Sequence, residues 1–265
     1  MRIQAIASGS NGNCIYIEEE NTRILVDAGI SCRRIGEALA LLGTSPASLT
    51  GILITHEHAD HVMGLAAFVR RLHIPVYTCS ETASAIWFSD QSRLAELNEF
   101  REIRPGEPFR VGSLRILPIP THHDAAAPVS FRVEGPDRTF AVLTDTGCID
   151  EDMIAALQGL NGILLESNHD IRMLEAGSYP FVLKRRILGD FGHLSNESAI
   201  RILDRLMNPG MKLILLGHIS EENNYPELVE LTLRQFLEQV PAERKDPDLI
   251  HEVAVRTHSS AVFEL

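Results

Sequence analysis

The stretch Thr55-His56-Glu57-His58-Ala59-Asp60-His61 follows directly on residues 51–54, a short apolar run that is typical of a buried strand. It brings three imidazoles and the carboxylate of Asp60 together within six residues. Such donors suit borderline divalent cations, including Zn²⁺, Mn²⁺ and Fe²⁺. A solvated polar loop is the simpler alternative, but burying so many ionisable groups without a cation would be costly. The stretch therefore predicts a metal site at the end of a strand.

Composition and charge limit what the rest of the chain can be. With 265 residues, 45% hydrophobic and 23% charged, it fits one globular domain over residues 1–265. The net charge of −12 argues against attraction of nucleic acid by the whole molecule and leaves only a local patch. The four cysteines form no C-x-x-C pair, and no signal-like or membrane-length apolar run occurs. We therefore expect a cytoplasmic protein with no membrane contact; the sequence indicates no oligomeric state.

Short strand-like runs and segments of helical periodicity alternate in both halves of the chain. Strands are predicted at residues 2–7, 14–18, 22–26, 51–54, 75–78, 114–119, 129–133, 139–143, 162–165, 211–215 and 253–256. Helices are predicted at residues 32–42, 62–72, 150–157, 180–188, 196–206 and 226–240. This order favours an α/β protein whose mixed sheets are covered by helices, rather than a regular βαβ arrangement.

Four further motifs accompany the histidine-rich stretch, each after a predicted strand. They are Leu25-Val26-Asp27-Ala28-Gly29, Thr121-His122-His123-Asp124-Ala125, Leu143-Thr144-Asp145-Thr146-Gly147 and Leu216-Gly217-His218. Together with T-H-x-H-x-D-H, in this order, they resemble the metallo-β-lactamase fold superfamily. The resemblance implies a four-layer αββα sandwich with two mixed β-sheets. It also implies two bound divalent metal ions, Zn²⁺ or Mn²⁺ with Fe²⁺ as a further possibility.

The resemblance assigns a ligand role to most of these polar residues. The implied ligands are His56, His58 and His123 for one metal, Asp60, His61 and His218 for the other, and Asp145 as a bridge between the two. His122 competes with His123 for its position, and His123 is favoured because the group resembled most closely has His-Asp-Ala here. Asp27 is expected to orient a ligand or the site loop.

Longer segments resemble one group within this superfamily, the YycJ/WalJ proteins of bacteria. These segments are Ser8-Gly9-Ser10-Asn11-Gly12-Asn13-Cys14, Leu165-Glu166-Ser167-Asn168-His169-Asp170, Gly192-His193-Leu194-Ser195-Asn196 and Gly217-His218-Ile219-Ser220 followed by Asn223-Asn224. The resemblance implies a metal-dependent phosphodiesterase. More specifically, it implies a 5′-to-3′ exonuclease that acts on DNA ends with a metal-bridging hydroxide.

Three residues are expected to take part in the chemistry. Asp60 or Asp145 would orient the nucleophile through a hydrogen bond. His193, just before a predicted helix start, would protonate the leaving oxygen or bind phosphate together with backbone N–H groups.

Other residues are candidates for substrate binding. They are Ser10, Asn13, His169, His193 and Asn223. The glycines of the Ser8–Asn13 loop allow close approach of a phosphate, although a tight turn explains them equally well. The cluster Lys184-Arg185-Arg186 is either a solvated helix face or a local strip for a nucleic-acid backbone. Trp87 and Phe88 are expected in the core.

Two other functions remain open at the level of sequence. The same metal site would serve hydrolysis of a small metabolite, such as a cyclic phosphodiester, a thioester or a lactone. A non-enzymatic, metal-holding interaction protein is disfavoured because none of the five motifs is broken.

Overall fold

Two mixed sheets form the centre of the computed structural model, which describes residues 1–89 and 99–265. The first sheet contains β1 (Arg2–Ala7), β2 (Cys14–Glu19), β3 (Thr22–Val26), β4 (Gly51–Leu53), β5 (Val76–Thr78), β6 (Phe100–Glu102) and β14 (Phe263–Glu264), in the order β14-β1-β2-β3-β4-β5-β6. The second contains β7 (Phe109–Val111), β8 (Leu114–Pro120), β9 (Val129–Glu134), β10 (Thr139–Leu143), β11 (Gly162–Glu166), β12 (Leu213–Gly217) and β13 (Ile250–Val253), in the order β13-β12-β11-β10-β9-β8-β7. Strands β3 to β6 pair in parallel, and so do β10 to β13.

Helices cover the outer faces of both sheets. The described helices are α1 (Cys32–Leu41), α2 (Ala59–Val62), α3 (Leu65–Leu72), α4 (Ser80–Ser89), α5 (Glu151–Ala156), α6 (Ile171–Ala176), α7 (Phe181–Ile187), α8 (Asn196–Leu206) and α9 (Pro226–Gln239). On the first sheet, Leu39 of α1 and Phe68 of α3 pack in one apolar cluster with Ile52. On the second sheet, Leu203 of α8 and Leu233 of α9 share a cluster with residues of β11.

The alternation of side chains along β11 shows how these layers are joined. Leu164 packs between the two sheets, whereas Ile163 and Leu165 pack beneath the helices of the second sheet. The strand is apolar on both faces because both faces are covered. The predicted αββα sandwich with two mixed sheets is therefore confirmed.

The helix predicted over residues 62–72 is interrupted in the structure. Asp60 and His61 lie in the short helix α2, and the chain turns at Gly64 before α3 begins. Gly64 N donates to Ala28 O at 2.7 Å, and a Cβ at Gly64 would lie 2.2 Å from Ile30 O. The close approach of the segment after β3 therefore breaks the helix and turns α2 towards the strand ends.

Two other predictions from the sequence are wrong in detail. The last strand of the second sheet is Ile250–Val253 instead of residues 253–256, because the chain leaves the sheet after Val253 and Ser8 N donates to Val255 O. Trp87 and Phe88 are 57% and 87% exposed, and so lie outside the core.

Among residues 1–89 and 99–265, no helix has both the length and the apolar character that crossing a membrane requires.

Gly29 joins the segment after β3 to the histidine-rich stretch. Gly29 N donates to Asn13 O at 2.7 Å, and Asn13 N donates to Asp60 O at 2.8 Å. A Cβ at Gly29 would lie 1.6 Å from Asp60 O, a distance that no side chain permits.

We expect Gly29→Ala to lower the free energy of unfolding by about 3 kcal/mol, because the added methyl group must force the segment away from Asp60. Denaturant unfolding measures the change. Gly36→Ala is the matched control, since its Cβ would meet Pro46 at an ordinary 3.7 Å and alanine favours a helix. Equal stability of the two variants would contradict the expectation.

Candidate metal centre

The polar motifs meet where strands of both sheets end. Asp27 follows β3, Asp145 follows β10 and His218 follows β12. All three have a left-handed backbone, with φ of 62°, 57° and 52°. Residues other than glycine rarely adopt this backbone conformation. It persists only where the surroundings enforce it, often at functional sites. The strand ends are thus shaped to turn these three side chains inwards.

The first cluster consists of three imidazoles. His56 Nε2 lies 3.0 Å from His58 Nδ1, which lies 3.3 Å from His123 Nε2. Lone pairs at this separation repel one another unless a proton or a cation lies between them. Two nitrogens bound tetrahedrally to one Zn²⁺ at ~2.0–2.1 Å stand about 3.3 Å apart. The spacing of the three nitrogens therefore fits one ion.

The outward nitrogens of this cluster have partners that fix the imidazoles. His56 Nδ1 lies 3.0 Å from Thr55 Oγ1, and His123 Nδ1 donates to Gly192 O at 3.1 Å. Burial lowers the pKa of His56 well below its usual value, and it also lowers the pKa of His123. Both imidazoles are thus held in the neutral form that binds a metal.

His122 and His123 can be told apart by their surroundings. His123 is buried within the cluster, whereas His122 Nε2 lies 2.8 Å from Asp150 Oδ2 at the partly exposed start of α5. The structure therefore brings His123, and not His122, to the other donors.

The second cluster contains two imidazoles and two carboxylates. His61 Nε2 lies 3.3 Å from Asp60 Oδ2 and 3.1 Å from Asp145 Oδ2, and His218 Nε2 lies 3.3 Å from Asp145 Oδ1. Asp145 Oδ1 is also 3.7 Å from His123 Nε2 in the first cluster. Asp145 therefore stands between the two clusters, as a bridging ligand must.

The surroundings of Asp145 show whether the donor set fits a cation. Its side chain is buried, and within residues 1–89 and 99–265 its Oδ2 atom accepts no well-aligned hydrogen bond, although His61 Nε2 lies 3.1 Å away. A buried carboxylate oxygen without an aligned donor is costly, and a coordinated cation removes that cost. The residues present therefore fit a divalent metal.

Asp27 lies behind His61 and is not one of the clustered donors. Its Oδ2 atom lies 2.7 Å from His61 Nδ1, and its Oδ1 atom accepts from Thr55 N at 2.9 Å. Burial opposes protonation of His61, but the carboxylates of Asp145, Asp27 and Asp60 outweigh burial and raise its pKa well above the usual value. Asp27 thereby holds the His61 ring with Nε2 directed at Asp60 and Asp145.

Asn13 also lies against ligands, although the sequence predicts that it binds substrate. Its Oδ1 atom accepts from Gly9 N at 3.0 Å and lies 3.3 Å from His218 Nδ1. Its Nδ2 atom lies 3.1 Å from His61 Nε2. The buried amide is thus surrounded by ligand side chains, and the Ser8–Asn13 loop supports the second cluster.

Glu166 was missed by the reasoning from sequence. It is fully buried at the end of β11, and its Oε1 atom lies 2.7 Å from His193 Nδ1. Burial opposes the charge on His193, but Glu166 outweighs it and raises the pKa of His193 to about 9. The available signal was an acidic residue that closes an otherwise apolar strand, since such a residue needs a buried partner.

An open cavity of about 220 Å³ lies over both clusters. Its lining residues are Ser10, His58, Asp60, His123, Asp145, Asn168, Tyr179, Leu183, Arg186, Ile187, His193, His218 and Ser220. Ser10 and His193 are therefore placed where the sequence predicts substrate contact. Asn13, His169 and Asn223 are not among these lining residues, and each is at most 2% exposed. These three residues lie behind the cavity wall, and their contact with substrate stays a prediction. Burial lowers the pKa of His169 to about 4.

The fold and the two clusters define a class of protein. The chain belongs to the metallo-β-lactamase superfamily, because residues 22–219 match the family described as "Beta-lactamase superfamily domain". Zn²⁺-bound PqqB from Methylobacterium extorquens shares the fold, with a TM-score of 0.72 and 18% identity over 100% of both chains. Fold family and clusters together support a divalent-metal site.

Two relatives indicate which group within the superfamily the chain is similar to. Exodeoxyribonuclease WalJ from Streptococcus pneumoniae strain D39 is 38% identical over 234 residues, covering 88% of this chain and 87% of the relative. Exodeoxyribonuclease YycJ from Bacillus anthracis is 33% identical over 245 residues, covering 90% of each. The resemblance to the YycJ/WalJ group that the sequence motifs suggest is thereby confirmed.

Asp27→Asn removes the charge behind His61 but keeps the shape of the side chain. We expect metal binding to weaken by roughly 10- to 100-fold, because His61 loses its orienting partner. Competition with a chromophoric chelator measures the affinity. Asp204→Asn, at a half-exposed aspartate paired with Arg244, is the control and should bind metal as the wild type does. Equal affinities in both variants would refute a role of Asp27 in the site.

Proposed function

We propose that the protein is a metal-dependent 5′-to-3′ DNA exonuclease whose site holds two divalent ions, Zn²⁺ or Mn²⁺, with Fe²⁺ also compatible. One observation carries the proposal. This chain, which is 38% identical to an exodeoxyribonuclease over 88% of its length, has two donor clusters together beneath one open cavity. We further propose that the ligands are those that the motifs predict, with Asp145 between the two ions.

The residues around the cavity suit attack of water on a phosphodiester. When bound, two divalent ions supply a hydroxide near neutral pH and stabilise charge on the phosphoryl oxygens. Asp60 and Asp145 line the cavity, so their oxygens can accept a hydrogen bond from the attacking water and orient it. Asp27 and Asn13 keep His61 and His218 in place during this step.

His193 is suited to protonate the leaving oxygen. It lines the cavity while Glu166 accepts from its Nδ1 atom at 2.7 Å, which leaves Nε2 for the substrate. Glu166 in turn accepts from the backbone N–H groups of Thr146 at 3.2 Å and Leu194 at 3.3 Å, so the pair is firmly held. A sugar alkoxide is a poor leaving group, and this proton would assist its departure.

The size of the cavity favours a substrate end over the middle of a duplex. A volume of about 220 Å³ is small compared with sites that enclose a whole ligand, and it admits a phosphate with part of one nucleotide but not the width of a duplex. The same size keeps a small phosphodiester metabolite as the second candidate substrate.

The deciding experiment follows degradation of duplex DNA labelled at the 5′ or the 3′ end, with protein loaded with Mn²⁺ or Zn²⁺. We expect release of mononucleotides from the 5′ end, loss of activity after chelation and recovery when metal is restored. Asp60→Asn and His58→Ala should be inactive, because each removes a metal ligand. His258→Ala, at an exposed histidine, is the control and should remain active. Intact DNA with rapid cleavage of a small phosphodiester would move the substrate to a metabolite.

His193→Gln separates proton donation from metal binding. We expect DNA hydrolysis to fall by ~10²- to 10⁴-fold, because the sugar oxygen then leaves without a proton. Hydrolysis of bis(p-nitrophenyl) phosphate should fall much less, because nitrophenolate departs unassisted. Steady-state rates on both substrates give the comparison. His122→Gln, at a histidine outside the clusters, is the control. Equal losses on both substrates would exclude His193 as the general acid.

A further inference from the structure

One face of α7 forms part of the cavity wall. Leu183, Arg186 and Ile187 line the cavity and are spaced as residues on one face of a helix. Arg186 is the only lysine or arginine among the cavity-lining residues of the described chain. It therefore differs in kind from the imidazoles and carboxylates that make up the metal clusters.

Arg186 is held in place by Asp124. The Nη2 atom donates to Asp124 Oδ1 at 2.9 Å, and Nε donates to Asp124 Oδ2. Asp124 follows His123 in the chain, and its Oδ1 atom lies 3.5 Å from His123 Nε2. The carboxylate thus fixes the guanidinium beside a ligand of the first cluster.

The pair with Asp124 leaves most of the guanidinium unused. A guanidinium has five N–H donors in a rigid fork, and the two contacts with Asp124 occupy two of them. Within residues 1–89 and 99–265, the other three have no protein partner, and the side chain is half-exposed. A charged, oriented and unfilled donor group at a cavity is complementary to an oxyanion.

The neighbouring basic residues do not share this position. Lys184 Nζ donates to Glu175 O and Gly177 O, both at 2.7 Å, and so ties α7 to the end of α6. The guanidinium of Arg185 lies 6.0 Å from the Phe181 ring centroid and is absent from the cavity lining. The cluster Lys184-Arg185-Arg186 is therefore not a uniform basic strip.

We propose that Arg186 is a substrate-binding residue that donates to a non-bridging phosphate oxygen, with Asp124 holding the guanidinium in position. The inference rests on the proposed function, because it assumes a phosphodiester substrate. The carboxylates of Asp60 and Asp145 also line the cavity and repel a phosphate, and the fixed positive charge of Arg186 offsets this repulsion. Leu183 and Ile187, beside Arg186, provide apolar surface for the organic part of the substrate.

The test compares Arg186→Gln, Arg186→Lys and the control Arg185→Gln. Hydrolysis of bis(p-nitrophenyl) phosphate gives kcat and KM, and calorimetry of the metal-loaded protein gives the affinity for inorganic phosphate. For Arg186→Gln we expect kcat/KM to fall by roughly 10- to 100-fold, mainly through KM, with weaker phosphate binding. Arg186→Lys should recover part of the loss, because lysine keeps the charge but lacks the fork. Arg185→Gln should match the wild type.

A purely structural pair would give a different result. If Arg186→Gln and Asp124→Asn both lower metal content while the metal-loaded proteins bind phosphate as the wild type does, the pair only fixes the His123 loop and the proposal is overturned. If the aryl diester is cleaved in a way that depends on Arg186 but DNA stays intact, this inference stands and the exonuclease is rejected. If Arg186→Gln degrades DNA at the wild-type rate, the exonuclease stands and the inference on Arg186 is rejected. Phosphate binding decides the matter even if the aryl diester is not cleaved.

Discussion

The buried carboxylate of Asp145 is the group on which the whole site depends. It lies within 3.7 Å of imidazole nitrogens from His61, His123 and His218. His218 and His61 together hold the pKa of Asp145 well below its usual value in spite of its burial. A negative charge kept in the interior requires positive charge beside it, and on the proposed function divalent cations held by these residues would meet that requirement.

This arrangement needs both sheets, because the residues around Asp145 come from each of them. Asp27 and His56 follow strands of the first sheet, whereas Asp145 and His218 follow strands of the second. The sheets are tied at this edge by His218 N, which donates to Ser8 Oγ at 2.8 Å. The left-handed backbone at three of the strand ends is thus a consequence of closing one site from two separate sheets.

The parts of the site that could be predicted from sequence are those written in contiguous motifs. A histidine-rich stretch after a strand shows its chemistry within a few residues, and so Asp60 and His61 could be predicted. The Glu166–His193 contact spans 27 positions and the Arg186–Asp124 contact spans 62, so the sheet order must be known before either is visible. Asn13 illustrates the opposite difficulty. Its loop is rich in glycine and serine and therefore resembles a phosphate-binding loop. The structure places the Asn13 amide beside His61 and His218. The break in the helix at Gly64 likewise depends on Ile30, more than thirty positions away.

The protein is acidic and its proposed substrate is a polyanion, so the position of its positive charges decides how the two can bind. A chain of net charge −12 gains little from long-range attraction to a polyanion, so recognition must come from groups inside the cavity. On the proposed function these are the metal ions, His193 held by Glu166, and Arg186 held by Asp124. His193 and Arg186 each have a carboxylate behind them, which holds the cationic group in position. Affinity of this kind is confined to a phosphate that enters the cavity, and it discriminates an accessible strand end from the flank of a duplex.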